Sequence, residues 1–200
     1  MITIFKSGYW KIMQFFYKDK VTKLHLREIA RLTKLHEPSV TRFLNDLEKE
    51  QILKSEKDGN LKKYSIKKSA KTYFVFESFD IERFEKLPNI RKDAIKIYFD
   101  NISEQPIFAI LFGSTAKGTY KENSDIDLLI VTNNIIYAKK AEKEVDALTA
   151  MKISTFQITY KDFLIDLKMK NDKVVQSALQ SGYPLINHIQ YYRVLYNERI

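Results

Sequence analysis

The chain has 200 residues, 44% of them hydrophobic and 30% charged, so it can bury one or two cores and is not a disordered tail. It has no cysteine, which excludes disulfides and thiolate metal sites. No apolar run reaches the roughly eighteen residues that cross a bilayer, and Lys6 and Lys11 among the first aromatic residues do not form a cleavable signal pattern. We therefore expect a cytoplasmic protein with at most two domains and no membrane partner.

The net charge of +9 is concentrated in the first third of the chain. Residues 1–70 hold 16 Lys and Arg against 8 Asp and Glu, whereas residues 71–200 hold 18 against 17. A basic excess confined to one region is typical of a segment that binds a polyanion. The first third is therefore a candidate for nucleic-acid binding.

The same region predicts three helices followed by a hairpin. The first helix lies around Trp10–Tyr17, and a short amphipathic helix covers Leu24–Leu32. A third helix covers Glu37–Leu47, with Pro38 near its first position. Two short strands within Ile52–Ile66 flank an Asp-Gly-Asn turn, which is a hairpin signal.

This order of elements resembles the winged helix-turn-helix fold. The resemblance implies a domain over residues 1–70 whose third helix enters the major groove of double-stranded DNA while the hairpin lies on phosphates. The candidate DNA-binding residues are Ser39, Thr41, Arg42, Lys57, Lys62 and Lys63. An alternative stays open, because winged helices also dock proteins and Glu37 would repel phosphate.

The remaining chain predicts a linking helix and a second domain of alternating helices and strands. Residues 71–87 contain many aromatic residues but no Gly or Pro, which favours a connecting helix over a flexible linker. Residues 88–200 contain candidate strands at Ile107–Phe112, Ile126–Val131 and Ile153–Ile158. We therefore expect an α/β (α+β) protein.

One motif within this second domain carries chemistry. The first strand stops at Gly113-Ser114, which is typical of a tight turn into a helix whose free N–H groups face an anion. Ten residues later, Asp125-Ile126-Asp127 opens the next strand, and its alternation puts both carboxylates on one face. Two close carboxylates repel unless a cation neutralises them. Mg²⁺ or Mn²⁺ suits such a site, since Mg²⁺ favours a few carboxylates plus substrate phosphates.

The residues LFGSTAKG and SDIDLLIV resemble the nucleotidyltransferases of the polymerase-beta superfamily, within it the minimal nucleotidyltransferases with their GSxARG and SDIDLLV signature. The resemblance covers about residues 88–196 and implies a small mixed-sheet domain that binds a metal-bound NTP, with ATP as the first candidate. It makes Asp125 and Asp127 catalytic metal ligands. It assigns the nucleotide to Gly113, Ser114, Lys117 and Ser124. Lys117 replaces the usual Arg and keeps the charge without the bidentate fork.

One feature departs from the family. A third acid usually lies on the strand after the next helix, which here is Ile153–Ile158. With Ile153, Phe156 and Ile158 as apolar positions, we expect Thr155 and Gln157 to face the site, and neither is an acid. Losing one carboxylate could remove most of the rate of phosphoryl transfer, which uses clustered acids to hold the ions.

Two functions therefore compete. In the first, which we prefer, the protein is an enzyme that transfers a nucleotidyl group to a hydroxyl on a protein, small molecule or RNA, with the winged helix binding DNA. In the second, it is a DNA-binding transcriptional regulator whose impaired transferase domain serves as a nucleotide sensor or oligomerisation module. A homodimer fits either function. His25, His36 and His188 have no metal-ligand spacing, so a zinc site is not expected.

Overall fold

The computed structural model describes residues 7–197 and divides the chain into two compact units, one ending at Phe79 and one beginning at Asp80. Lys6, cited above for the N-terminal pattern, lies outside the described residues. Between residues 7 and 197, no helix combines the length and the apolar character that crossing a membrane requires. The prediction of a mixed α/β protein is confirmed.

From residue 7 to Ile66, the first unit contains three helices and a three-stranded antiparallel sheet. Its elements are α1 (Ser7–Lys18), β1 (Leu24–His25), α2 (Leu26–Thr33), α3 (Glu37–Lys49), β2 (Leu53–Asp58) and β3 (Leu61–Ile66). The sheet has the order β1-β3-β2. The prediction that Leu24 and His25 begin a helix was wrong. They pair with Tyr64 and Lys63 of β3, and Leu24 is buried, so a long-range pairing overrides the local helical pattern.

The helices of this unit pack through a small aromatic and aliphatic core. Val40, Leu44 and Leu47 of α3 are buried, whereas Phe43 is only partly buried. The Phe43 ring lies 4.5 Å from the Tyr9 ring, centroid to centroid. Tyr9 also donates a hydrogen bond of 2.6 Å to Asp46 Oδ2, which joins α1 to α3.

A helix, α4 (Ala70–Glu85), covers most of the predicted connecting segment, and the boundary between the two units falls inside it. The exact domain limits at residues 70 and 88 stay predictions.

The second unit is built on a mixed four-stranded sheet. The elements after α4 are α5 (Asn89–Asn101), β4 (Phe108–Phe112), α6 (Gly113–Lys117), β5 (Ile126–Thr132), α7 (Lys139–Thr149), β6 (Ile153–Thr159), α8 (Tyr160–Met169), α9 (Lys173–Ser181), β7 (Tyr183–Ile186) and α10 (His188–Asn197). The strand order is β6-β5-β4-β7, in which only β5 and β6 run parallel. The mixed sheet expected from the sequence is present.

Both faces of this sheet are covered, which leaves the ends of its strands to carry polar groups. On one face, Ile126, Leu128 and Ile130 of β5 share a core cluster with residues of α5 and α7. On the other face, Phe108 of β4 contacts the Phe163 ring of α8, with a centroid separation of 5.2 Å. Because β4 and β5 are central and antiparallel, the end of β4 and the start of β5 lie side by side.

Candidate active site

The turn at the end of β4 brings the backbone against a carboxylate of β5. Phe112 and Asp127 are register partners, and Gly113 follows with a φ of +67°. A Cβ added at Gly113 would lie 2.9 Å from Asp127 Cγ and would overlap Oδ2 of the same carboxylate. Glycine is therefore required at position 113 for two reasons: the backbone is left-handed there, and Asp127 approaches closely.

The two predicted metal ligands lie at the start of β5. Asp125 immediately precedes the strand and is exposed, whereas Asp127, two residues later on the same side, is partly buried. Burial raises the pKa of Asp127, and the negative charge of Asp125 raises it further. Burial and the neighbouring charge thus disfavour ionisation of Asp127, which is the situation that a bound cation relieves.

Thr155 and Gln157 of β6 were predicted to face the site, but they do not lie on the Asp127 side of the sheet. Asp127 pairs with Ser154 in the parallel ladder, so Ser154 and Phe156 lie on the Asp127 side of the sheet. Thr155 lies on the opposite side and donates a 2.5 Å hydrogen bond to Glu142 Oε1 of α7. Apolar residues occur on both faces of β6. Buried Ile153 pairs with Ile126 on the face that packs against α7.

Gln157 also faces away from Asp127. Its side chain accepts from the backbone N–H of Ile136 at 2.9 Å and donates to the Ile136 carbonyl at 3.0 Å. No residue of β6 is acidic on either side, and residues 7–197 hold no group of three or more His, Cys, Asp or Glu arranged to bind a metal. Asp125 and Asp127 are therefore the two carboxylates of the candidate centre at the start of β5.

The other residues assigned to the nucleotide lie in α6 and the loop after it. Ser114 is in the first turn of α6, and within the described chain its hydroxyl makes no hydrogen bond. Lys117 ends the helix and is exposed. Ser124 is already engaged, because its hydroxyl accepts from the Lys121 N–H at 2.9 Å and closes the loop. The Ser114 hydroxyl and the Lys117 ammonium are thus available to a phosphate group, whereas the Ser124 hydroxyl stabilises the loop.

The loop before Asp125 is anchored by an arginine that was not among the predicted site residues. Arg91 of α5 is buried and donates to the carbonyls of Lys121 and Ser124, each at 3.0 Å, and to Thr115 Oγ1 at 3.0 Å. The sequence carries no signal for this role, because an arginine in a charged helix normally points to solvent.

Residues 92–190 match the family described as polymerase beta, nucleotidyltransferase. This part of the chain is a nucleotidyltransferase domain of the polymerase beta type. The matched range includes the Gly113 turn, Asp125 and Asp127, and it supports nucleotidyl transfer as the activity at the level of the family. No curated protein matched the chain.

The nucleotidyltransferase domain has room for substrates on either side of Asp125. A cavity of about 520 Å³ lies between α7 and β6, and another of about 680 Å³ lies beside the loop before β5. Asp125 and Lys152 line both cavities. A substrate in either cavity would therefore approach the exposed carboxylate.

The donor set of the nucleotidyltransferase domain fits Mg²⁺ or Mn²⁺. Asp125 and Asp127 supply carboxylate oxygens, and burial together with the negative charge of Asp125 raises the pKa of Asp127. Two carboxylates fall short of a complete coordination shell, and Mg²⁺ completes its shell with water and substrate phosphates. We therefore expect the cation to bind together with a nucleotide.

The raised pKa of Asp127 predicts a stability that depends on pH. Between the ordinary and the raised pKa the folded protein binds more protons than the unfolded chain, so the free energy of unfolding falls as pH rises through that window. Without metal at about pH 7, Asp127→Asn should raise this free energy by about 0.5–2 kcal/mol, the range of single stabilising substitutions. The gain should vanish below about pH 3.9, where both states are protonated.

Urea unfolding in EDTA at about pH 7 and about pH 3 measures the difference. Asp93→Asn, which removes an exposed carboxylate from α5, is the control and should change stability little at either pH. A wild-type protein at least as stable as Asp127→Asn at neutral pH would contradict the prediction.

The candidate DNA-binding residues lie on α3 and on the hairpin of the first unit. Thr41 and Arg42 are exposed on α3, while Ser39 is partly buried in its first turn. The Thr41 hydroxyl donates to the Glu37 carbonyl at 2.9 Å. Arg27 Nε lies 3.8 Å from Glu37 Oε1, so the acid that would repel phosphate has a cationic neighbour.

The three hairpin lysines differ in how free their charges are. Lys57 and Lys62 are register partners and both exposed, which places them on one face of the hairpin. Lys63 instead lies 2.7 Å from Asp58 Oδ2, which raises the pKa of Lys63 and offsets its charge. Asp58 also lies 3.1 Å from His25 Nε2. Lys62 Nζ lies 3.8 Å from Glu48 Oε2, a longer contact than that of Lys63. Lys57 and Lys62 are therefore better candidates than Lys63 for binding phosphate.

Proposed function

We propose that the protein binds an NTP with Mg²⁺ at the Gly113 turn and transfers its nucleotidyl group to an acceptor hydroxyl. The carrying observation is the contact between Gly113 and Asp127, because it holds a carboxylate against the turn that would receive the triphosphate. Asp125 provides the second carboxylate from the exposed side. ATP is the first candidate nucleotide, and the acceptor is a protein, a small molecule or RNA.

The chain's own groups account for binding and orientation in this reaction. Lys117 and the free N–H groups at the start of α6 face the triphosphate, and the Ser114 hydroxyl adds a donor. The acceptor oxygen bonds to the α-phosphorus while the bond from that phosphorus to its bridging oxygen breaks, and pyrophosphate leaves. When bound, the metal supplies positive charge that offsets the charge on the reacting phosphates. The proton of the attacking hydroxyl passes to water, since β6 has no acid.

Label transfer tests the proposal. Purified protein is incubated with Mg²⁺ and ATP, CTP, GTP or UTP labelled in the α-phosphate, with and without a cell lysate. We expect one of the nucleotides to label a macromolecule. ATP labelled in the γ-phosphate is the control and should leave no label beyond that of the lysate alone, because that phosphate departs in pyrophosphate. Protein-dependent labelling from the γ position but not from the α position would show phosphoryl transfer and contradict the proposal.

A second candidate is a nucleotide-sensing regulator without turnover. The observation that favours it is the lack of any acid on β6, which leaves the carboxylate centre with two members. In that case the protein binds Mg²⁺ and NTP, transfers no label to any acceptor, and changes its DNA affinity when the nucleotide is added. A direct comparison of DNA binding with and without Mg²⁺ and ATP separates the two functions.

We further propose that the first unit is a winged helix-turn-helix domain that binds double-stranded DNA. In support, three helices are followed by a two-stranded hairpin, and residues 1–70 carry most of the excess positive charge. Arg42 is exposed on α3, where a guanidinium can read guanine, and Lys57 and Lys62 are exposed on the hairpin. Charged hairpin residues of this kind bind the phosphate backbone.

Charge removal on α3 and the hairpin should weaken DNA binding. For the double variant Arg42→Ala and Lys62→Ala we expect lower affinity and a slope of log K against log salt that is shallower by about one unit, from the lost Lys62 phosphate contact. The loss of Arg42 should add a decrease in affinity for sites that contain guanine. Fluorescence anisotropy at several salt concentrations measures both quantities.

A matched control removes the same charge elsewhere in the first unit. Lys18→Ala with Lys71→Ala takes two exposed lysines from α1 and α4, and it should leave the slope nearly unchanged. Equal losses in the two double variants would show that binding depends on net charge alone, and no loss in the Arg42 and Lys62 variant would refute the DNA interface.

A further inference from the structure

Arg91 is a buried cation whose hydrogen bonds all go to the segments around the candidate active site. Arg91 is 2% exposed, and no carboxylate within residues 7–197 forms an ion pair with its guanidinium. A buried guanidinium without an ion pair is costly unless its donors are satisfied. Here they are satisfied by one hydroxyl and three backbone carbonyls, and the guanidinium also stacks 4.2 Å above the Tyr120 ring.

The partners of Arg91 belong to two different segments. Nη1 donates to Thr115 Oγ1 in α6 at 3.0 Å, and the same hydroxyl lies 3.4 Å from the Asp125 carbonyl. Nη2 donates to the carbonyls of Lys121, Glu122 and Ser124 in the loop that ends at Asp125. One side chain thus connects the helix of the triphosphate turn to the residue directly before the first carboxylate.

A purely structural role explains this arrangement poorly. A leucine or methionine at this position would fill the space between α5 and the loop without burying a charge. A planar fork, by contrast, fixes several carbonyls at defined angles, which lysine cannot do. The family match begins at residue 92, so it does not include Arg91.

We infer that Arg91 is a positioning residue that fixes the backbone of Asp125 relative to the Gly113 turn, so that the two carboxylates can bind a metal-nucleotide pair. The inference rests on the proposed function. Residues that orient metal ligands in this way typically change metal affinity about 10- to 100-fold when they are replaced.

The first test measures the loop itself and needs no nucleotide. In Arg91→Lys, hydrogen exchange at the amides of residues 119–125 should become at least about tenfold faster, while exchange in β4 stays slow. Ile95→Val is the control, because Ile95 is equally buried on α5 but packs in the core of the sheet. It should leave exchange in the loop unchanged. Unchanged exchange in Arg91→Lys would overturn the inference.

The second test measures binding of Mn²⁺ in the presence of ATP by electron paramagnetic resonance of the full chain. We expect Mn²⁺ affinity to fall about tenfold or more in Arg91→Lys and to stay near the wild-type value in Ile95→Val. Tyr120→Leu keeps every hydrogen bond of Arg91 but removes the stacked ring, and it should weaken binding about threefold. Wild-type affinity in Arg91→Lys would overturn the inference.

Rescue separates positioning from a general loss of structure. Added guanidinium should restore Mn²⁺ binding to Arg91→Ala, whose side-chain cavity can admit the ion, and should not alter binding by Ile95→Ala. Failure of rescue in a folded Arg91→Ala protein counts against the inference. If the wild-type protein itself fails to bind Mn²⁺ with ATP, the proposed function fails, and hydrogen exchange alone then decides whether Arg91 holds the loop.

Discussion

Asp127→Asn should lower the rate of nucleotidyl transfer by about a thousandfold, which corresponds to about 4 kcal/mol of lost transition-state stabilisation. The asparagine keeps the size of the side chain and its place beside Gly113, but it removes the charge that would hold the cation. Within residues 7–197 no third His, Cys, Asp or Glu joins Asp125 and Asp127 in a metal-binding group, so we expect no other residue to replace the charge of Asp127. The measurement is the initial rate of transfer from α-labelled nucleotide at saturating Mg²⁺.

The appropriate control for this loss is Asp93→Asn, which removes one exposed carboxylate from α5 and should transfer at the wild-type rate. Asp127→Asn should also be at least as stable as the wild-type protein at neutral pH, since the burial of Asp127 and its proximity to Asp125 disfavour the charge. A stable variant that is inactive points to the site and excludes unfolding. Transfer at the wild-type rate by Asp127→Asn would refute a metal role for this carboxylate.

Gly113→Ala should reduce transfer by about a hundredfold or more while the domain stays folded, because a displacement of about 1 Å at a reacting centre has this effect. The added methyl group would occupy the place of Asp127 Oδ2. The carboxylate is the end of a flexible side chain, so it would rotate away, and the backbone of β5 would stay in place. The variant should therefore lose metal and nucleotide binding as Asp127→Asn does.

Gly118→Ala supplies the control for backbone strain. Gly118 has a φ of +71°, close to the +67° of Gly113, but an added Cβ there would meet nothing within 4 Å. Alanine at either position should lower the free energy of unfolding by about 1–2 kcal/mol, the cost of a left-handed residue. Only Gly113→Ala should lose nucleotide binding in a titration with Mg²⁺ and ATP. Similar binding losses in both variants would attribute the effect to strain and contradict the role of the contact.

The central strands and the motif between them were predictable because local rules govern them. The apolar run before Gly113 and the run after Asp125 each have the length of a buried strand, and the structure has β4 and β5 there. The glycine could be recognised as a turn residue. Its contact with Asp127 could not, because that contact requires the register in which Phe112 lies opposite Asp127.

Two predictions from local sequence patterns were wrong, one for Leu24 and His25 and one for β6. Leu24 and His25 fit a helical pattern, but pairing with β3 makes them a strand. In β6, apolar residues lie on both faces of the strand, so the sequence alone could not decide which face is on the Asp127 side. The parallel register with β5 decided that Ser154, and not Thr155, lies on that side. Both outcomes depend on contacts between residues far apart in the chain.

The sequence by itself determined the mixed α/β class, the two candidate metal ligands and the concentration of positive charge in the first third, because each depends on residue types and short spacings. Only the tertiary structure decided what surrounds those residues. It places the partly buried Asp127 against Gly113, puts Thr155 and Gln157 on the side of the sheet opposite Asp127, and brings Arg91 to the loop before Asp125. The physical reason is that burial, charge repulsion and hydrogen bonding act through space, and strand register sets which residues meet.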